Sequence, residues 1–109
     1  MLSRRSLALA AIALPVAAQA QDIGSAQRPI RIGVTAGPHA QVMEKVREIA
    51  ARDGLALRVI EFQDYIQPNV ALAAGDLDAN SYQHQPFLDQ QVRDRRLAIV
   101  SAGKTLVFP

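Results

Sequence analysis

The chain has 109 residues, half of them hydrophobic and 20% charged, with a formal net charge of +2 and no cysteine. That composition describes an ordinary globular segment of at most one domain, and the missing cysteine excludes disulfides, thiolate metal ligands and thiol nucleophiles. Two of the twelve basic residues, Arg4 and Arg5, precede an uncharged run, and the remainder is balanced at ten basic and ten acidic groups. No block of like charge is left to recruit nucleic acid or an anionic membrane.

In chain order, residues 1–20 read as a secretory signal peptide. Arg4 and Arg5 are followed by the apolar stretch SLALAAIALPV and by an Ala18-Gln19-Ala20 ending suited to cleavage after Ala20. The apolar run is shorter than the ~20 residues a membrane-spanning helix needs. SRRSL carries the paired arginines of the twin-arginine signal. Leu7 and Ala8, however, stand where that pattern has Phe and Leu, and its Lys is missing. The general secretory route is expected, with twin-arginine export as the alternative. With no cysteine to acylate, no lipid anchor is expected, and the exported protein should be soluble and periplasmic or otherwise extracytoplasmic.

Residues 21–28 read as an N-terminal tail. IRIGVT, residues 30–35, is a β-branched run and predicts a buried strand. Gly37-Pro38 then opens a helix to Asp53, because proline suits the first turn, where its absent N–H would be unpaired anyway. Its apolar residues Val42, Met43, Val46, Ile49 and Ala50 form one amphipathic stripe, and Gly54 ends it as the residue that takes positive φ cheaply. LALRVIEF, residues 55–62, is the second strand, with Leu55, Leu57, Val59 and Phe62 supplying apolar contacts. A loop through Asp64-Tyr65 leads to a short helix with Pro68 near its start and Gly75 after its end. LDANSYQ is a weaker third strand, Pro86 restarts a helix to about Arg95, and LAIVSAGKTLVF is a fourth strand. The order βαβαβαβ implies an α/β fold whose sheet is mostly parallel and flanked by helices.

In such a sheet, ligands sit beyond the carboxyl ends of the strands. The turns TAGPH, QDY and YQH share that rim, so Tyr65, Tyr82 and His84 are expected to meet there although they are distant in sequence. The turn GVTAGP lacks a full G-x-G-x-x-G pattern and reads as a tight strand-to-helix connection rather than a nucleotide site. His84 has no serine and acid in a recognisable catalytic pattern, so a hydrogen-bonding role is expected of it, with a general base in a hydrolase or isomerase as the alternative. His39 and His84 have no third ligand that would make a metal site. Asp76 and Asp78 are expected to shape a turn rather than bind calcium, and QQVRDRR, residues 90–96, is read as a solvated helix face.

Three longer stretches carry a family likeness: RIGVTAGPHAQVMEKV, VIEFQDYIQPNVALAAGDLDANSYQHQPFLDQQ and IVSAGKTLVFP. Within them stand Asp-Tyr-x-x-Pro-Asn at 64–69, Gly-Asp-x-Asp-Ala-Asn at 75–80, and x-aromatic-Gln-His-x-Pro-aromatic-Leu at 81–88. Residues 29–109 thereby resemble the methionine-binding proteins of ABC importers, the MetQ/NlpA family. The resemblance implies part of the first lobe of a type II periplasmic-binding fold, in which two α/β lobes close on an amino acid.

It also implies that Tyr65, Tyr82, His84 and Phe87 surround the ligand's side chain, with no cofactor and no catalysis. L-methionine or a related small amino acid would be the ligand, and an ABC permease and its ATPase the partners. A sulfonate or another small amino acid is the nearest alternative ligand. Relatives commonly have Phe then Tyr where this chain has Tyr82 then Phe87, so the ring character stays and the hydroxyl moves. Relatives are usually lipoproteins with an acylated cysteine, which this chain lacks. They also continue into a second lobe that holds the ligand's charged head, so a truncated product or fragment is expected.

Overall fold

A computed structural model describes residues 22–105. The expected signal peptide and the last residues of the expected fourth strand lie outside them. The elements are β1 (Ile30–Thr35), α1 (Pro38–Arg52), β2 (Leu57–Phe62), α2 (Gln67–Ala73), β3 (Ala79–Asn80) and α3 (Gln85–Arg95). β1 lies in the middle of a three-stranded sheet of order β2-β1-β3, parallel to both neighbours. Its register runs from Ile30 against Leu57 to Thr35 against Phe62 on one side. On the other side Ile32 faces Ala79 and Gly33 faces Asn80. This is the α/β class expected, with a parallel sheet and flanking helices.

The centre of the core is the carboxyl half of β1, where Val34 is fully enclosed and Thr35 nearly so. Gly33 is needed there for close approach: a Cβ at that position would stand 2.5 Å from Leu77 Cδ1 and 3.0 Å from Phe62 Cε2. At the strand's end Gly37 takes φ 96°, which a side chain would resist, and turns the chain into α1 with Pro38 in its first turn. The helix closes as expected. Asp53 N–H donates to Ala50 and Ala51 carbonyls, and Gly54 follows at φ 81°.

Three expectations need correction. The α1 stripe exists, but Val42, Val46 and Ile49 are 64%, 41% and 47% exposed. The helix rests on β1 and β2 through the side that carries buried Ala40 and half-buried Met43 and Ala50, because three strands are too narrow to cover the whole apolar arc. β2 starts at Leu57, two residues late. Leu55 N–H still closes α1 onto Ala50 O, and Ala56 N–H bonds to Gly24 O at 2.7 Å. That second bond docks the 22–28 turn, itself closed by Gly24 N–H on Arg28 O, against the start of the strand.

The fourth strand is the third correction, since residues 97–105 form no strand. β3 is only two residues long and offers a short free edge on which to build another ladder. The chain also leaves α3 through Arg96 at φ 52°, a left-handed conformation, with Leu97 N–H returning to Val92 O. Among the described residues the order is therefore βαβαβα.

β3 is short, but it is firmly attached. Asp78 N–H donates to Arg31 O and Ser81 N–H to Gly33 O, both at 2.9 Å, extending the ladder beyond the strand at each end. The Asp78 carboxylate accepts two parallel bonds from the Arg31 guanidinium, each 3.1 Å, and a third from Arg31 N–H at 2.9 Å. A further bond from that guanidinium, its third, goes to Gly75 O at 3.1 Å and ties in the turn after α2.

The Arg31 side-chain bond, followed by its backbone N–H, holds the Asp78 carboxyl below its ordinary value of 3.8. A depressed carboxyl stabilises the fold fully above its unfolded value and loses that contribution as pH falls through the folded one. In urea titrations across an acid series, the stability advantage of the wild type over Asp78→Asn should therefore shrink as pH drops below 3.8. A pH-independent difference would contradict the role given to this pair.

Candidate functional site

Because all three strands are parallel, the turns that follow them leave at one rim. After β2 the Asp64 carboxylate takes the lead: its Oδ1 accepts from Ile66 N–H at 2.8 Å and from Gln67 N–H at 2.7 Å. That side chain satisfies donors at the start of α2 which no helical carbonyl reaches, and it fixes the loop that carries Tyr65. The Tyr65 ring is 65% exposed. Its carbonyl accepts the Tyr82 hydroxyl at 2.8 Å.

Tyr82 follows β3 and is 7% exposed. Its ring stacks on Tyr65, with centroids 6.4 Å apart and planes at 16°, and meets the half-buried Phe87 edge-on at 6.2 Å and 76°. Both geometries suit the quadrupole of aromatic rings and are worth ~0.5–1.5 kcal/mol each beyond area burial. Burial, and secondarily the Asp64 charge, pushes the Tyr82 phenol up to about 12. Three of the four expected residues thus form one cluster. Within it Tyr82 is the enclosed middle member, and Tyr65 presents the open face.

His84 joins this cluster through the backbone. It is the N-cap of α3, in extended conformation, and its Nδ1 accepts from Phe87 N–H at 3.2 Å. With Nδ1 an acceptor, the neutral ring carries its proton on Nε2. The lone pair that a general base would use is committed to the helix end. His39 sits exposed in the first turn of α1, and among the described residues no group of three His, Asp or Glu is placed to hold a metal. Asp78 is engaged by Arg31, as described, while Asp76 N–H bonds to Ala71 O.

A hollow of about 310 Å³ lies elsewhere, between Leu88, Asp89 and Val92 of α3 and residues 99–101. None of the four residues lines it.

Sequence reading missed a half-buried amide cluster next to the rings. Asn69 is fully enclosed and exchanges two bonds with Gln83: its Nδ2 donates to Gln83 Oε1 at 2.7 Å, and Gln83 Nε2 donates to its Oδ1 at 2.8 Å. Asn80 Nδ2 donates to the same Oδ1 at 2.9 Å and to Pro68 O at 3.0 Å. All three amides lie inside the stretches that carry the family likeness. No periodicity marks them, because each pairs across turns.

Comparison with known proteins places the chain. The family model described as NlpA lipoprotein matches residues 30–109, and the chain belongs to that family. The D-methionine-binding lipoprotein MetQ of Salmonella typhi is 47% identical over 81 residues, covering 73% of this chain and 30% of its own. A nutrient-binding protein from Burkholderia cenocepacia, solved bound to methionine, is 56% identical with a TM-score of 0.66, covering 68% of this chain and 31% of its own. A periplasmic substrate-binding protein of an ABC transporter from Coxiella burnetii is 48% identical with a TM-score of 0.68, covering 70% and 33%.

The chain thus spans about 30% of the length of the curated relatives it matches. The family is one of substrate-binding lipoproteins and not of enzymes, which, with the committed Nδ1, removes support from His84 as a base. Since those relatives are named lipoproteins, they do not support the expectation of an unanchored protein.

The raised phenol makes a direct test. A tyrosine whose folded value lies above its unfolded 10.0 stabilises the fold below that pH and loses the contribution as pH rises through about 12. Absorbance titration of phenolate should show one late component near pH 12, and Tyr82→Phe should abolish it. Loss of the bond to Tyr65 O should also cost Tyr82→Phe ~0.5–1.5 kcal/mol in urea denaturation.

Proposed function

We propose that this chain supplies the aromatic side of a methionine site in an extracytoplasmic solute-binding protein serving an ABC importer. The observation that carries the reading is the stack of Tyr65 on Tyr82 with Phe87 edge-on, gathered at the carboxyl rim of a parallel sheet. The names of the Salmonella and Burkholderia relatives supply the ligand, and the Coxiella relative supplies the transporter.

In this reading Tyr65 and Phe87 offer ring faces and edges to the thioether, His84 borders them, and Tyr82 backs the group from below. Residues 1–20 act as an export signal of the general secretory type. N-terminal sequencing of the exported chain should begin at Gln21; an intact Met1 would remove the export assignment.

Methionine presents an apolar stem, a polarisable sulfur and a zwitterionic head. Each S···aromatic contact contributes ~0.3–1.5 kcal/mol, and burying the stem adds roughly 1.5–3 kcal/mol. Two contacts plus burial give about 2–6 kcal/mol, against ~8 kcal/mol for micromolar affinity. The rings therefore read the side chain, while tight capture needs groups that hold the head. The α-carbon's handedness is read with the head, so the rings serve D- and L-methionine alike. Ligand contacts made with both lobes of a complete protein would favour its closed state by population shift, with no reaction.

Isothermal titration of the chain by itself should show binding weaker than micromolar or none. In competition, methionine should outcompete both its sulfoxide, whose polar oxygen must be desolvated against the rings, and leucine, which lacks the sulfur. Micromolar affinity of residues 21–109 would overturn the energetic argument, and equal competition by the sulfoxide would overturn the thioether site.

A further inference from the structure

We propose that Asn69, Asn80 and Gln83 are positioning residues for the aromatic site: their amide cluster fixes the 81–84 loop, and with it Tyr82 and His84, onto the first turn of α2. What the site captures rests on the function proposed above; the positioning itself does not.

Three consecutive side chains of this loop each tie it to a different element. The Tyr82 hydroxyl reaches Tyr65 O in the loop after β2. Gln83 makes its reciprocal pair with Asn69 at the start of α2. His84 Nδ1 caps α3 through Phe87 N–H. Of the three ties, the one through Gln83 has the most restrictive geometry. Two amides that exchange both of their bonds must lie edge to edge, and neither can rotate without breaking both. Asn69 Oδ1 accepts from Asn80 Nδ2 as well, and Asn80 Nδ2 also bonds to Pro68 O, so the pair is locked to β3 and to the α2 backbone together.

Packing alone does not call for this arrangement. α2 already packs on β1 and β3, and Pro68 beside Asn69 is fully enclosed as well. Apolar side chains of similar volume would fill the same space without having to satisfy buried polar atoms. They would not set one orientation. A fully satisfied polar network rigidifies its surroundings and specifies a single arrangement. Here the segment specified is the loop that bears the stacked ring and the cap of α3.

The chain carries its own reporter. Tyr65 and Tyr82 are its two tyrosines, and it contains neither tryptophan nor cysteine. Near-ultraviolet circular dichroism in the tyrosine band therefore reads the packing of this site, whereas far-ultraviolet melting reads the fold. In the full chain, Gln83→Ala is expected to lose most of the tyrosine band and to move the late phenol titration down from about 12, with the melting transition retained.

Gln83→Glu keeps the acceptor for Asn69 Nδ2 but lacks the donor to Asn69 Oδ1. At neutral pH it should lose part of the band, and once protonated, below roughly its ordinary value of ~4.3, it again offers one donor and one acceptor. The band should then recover toward that of the wild type at the same pH.

An unchanged band in both variants overturns the positioning role. So does loss of the band only in step with the melting transition, which would make the amides part of the general fold. Methionine titration of the wild type separates the two readings. If methionine sulfoxide perturbs the band or the titration as strongly as methionine does while Gln83→Ala still loses the band, capture of a thioether fails and positioning stands. If methionine perturbs the band and Gln83→Ala leaves it intact, capture stands and positioning fails.

Discussion

The parallel pairing of β1 with both of its neighbours is the constraint on which the rest depends. A parallel neighbour requires a crossover, so every strand ends at the same rim and every turn there opens toward the same space. Tyr65 follows β2, Tyr82 follows β3, and Phe87 lies in the first turn of the helix after that. Antiparallel pairing of β3 would have sent Tyr82 to the opposite end of the sheet. The Arg31–Asp78 pair makes the arrangement secure at its weakest point. β3 contributes only Ala79 and Asn80 to the ladder, and the guanidinium holds the residue just before it through both carboxylate oxygens.

Much of this fold was legible because its signals are local. The β-branched IRIGVT run, Pro38 in the first turn of α1, Gly54 and Gly75 after helices and Pro86 in the first turn of α3 each act through backbone geometry that one or two residues decide. The rim itself followed from strand order. What was not legible depends on how much neighbouring structure exists. The Val42–Val46–Ile49 arc is a sound helix-forming pattern, yet periodicity says only that a face is apolar, and the breadth of the sheet decides whether it is covered. The fourth strand is absent from residues 97–105 for a similar reason, since a strand is a pairing and β3 offers only a two-residue edge.

Of the candidate site, the meeting of the rings was legible and the division of labour was not. Tyr65, Tyr82 and Phe87 do assemble, but Tyr82 commits its hydroxyl to Tyr65 O and buries its ring, becoming the support on which exposed Tyr65 lies. The sequence implies a hydrogen-bonding role for His84 without showing its partner. In the fold it is an N-cap, a role usually taken by Ser, Thr, Asp or Asn, so nothing in its type announced it. The Asn69–Gln83 pair was invisible for a further reason: two amides 14 positions apart carry no periodic mark, and their pairing exists only once α2 and the 81–84 loop have been brought together.

The family signature takes on a physical meaning when its residues are sorted by what they touch. In Asp-Tyr-x-x-Pro-Asn, Asp64 organises the loop, Pro68 starts the helix and Asn69 anchors the amides, leaving Tyr65 as the one ring presented outward. In Gly-Asp-x-Asp-Ala-Asn, Gly75 supplies a positive-φ turn, Asp78 clamps Arg31 and Asn80 bonds to Pro68 O and Asn69. In the third element Gln83 and His84 secure the loop and the helix, and Tyr82 fills the space between.

Most of the motif therefore builds the frame, and only a minority of it faces outward. On the proposed function, the pocket serves a flexible, uncharged thioether and has few directional bonds to offer its guest. Its selectivity must come from the shape and polarisability of rings held still, and holding them still is what the polar residues of the signature accomplish.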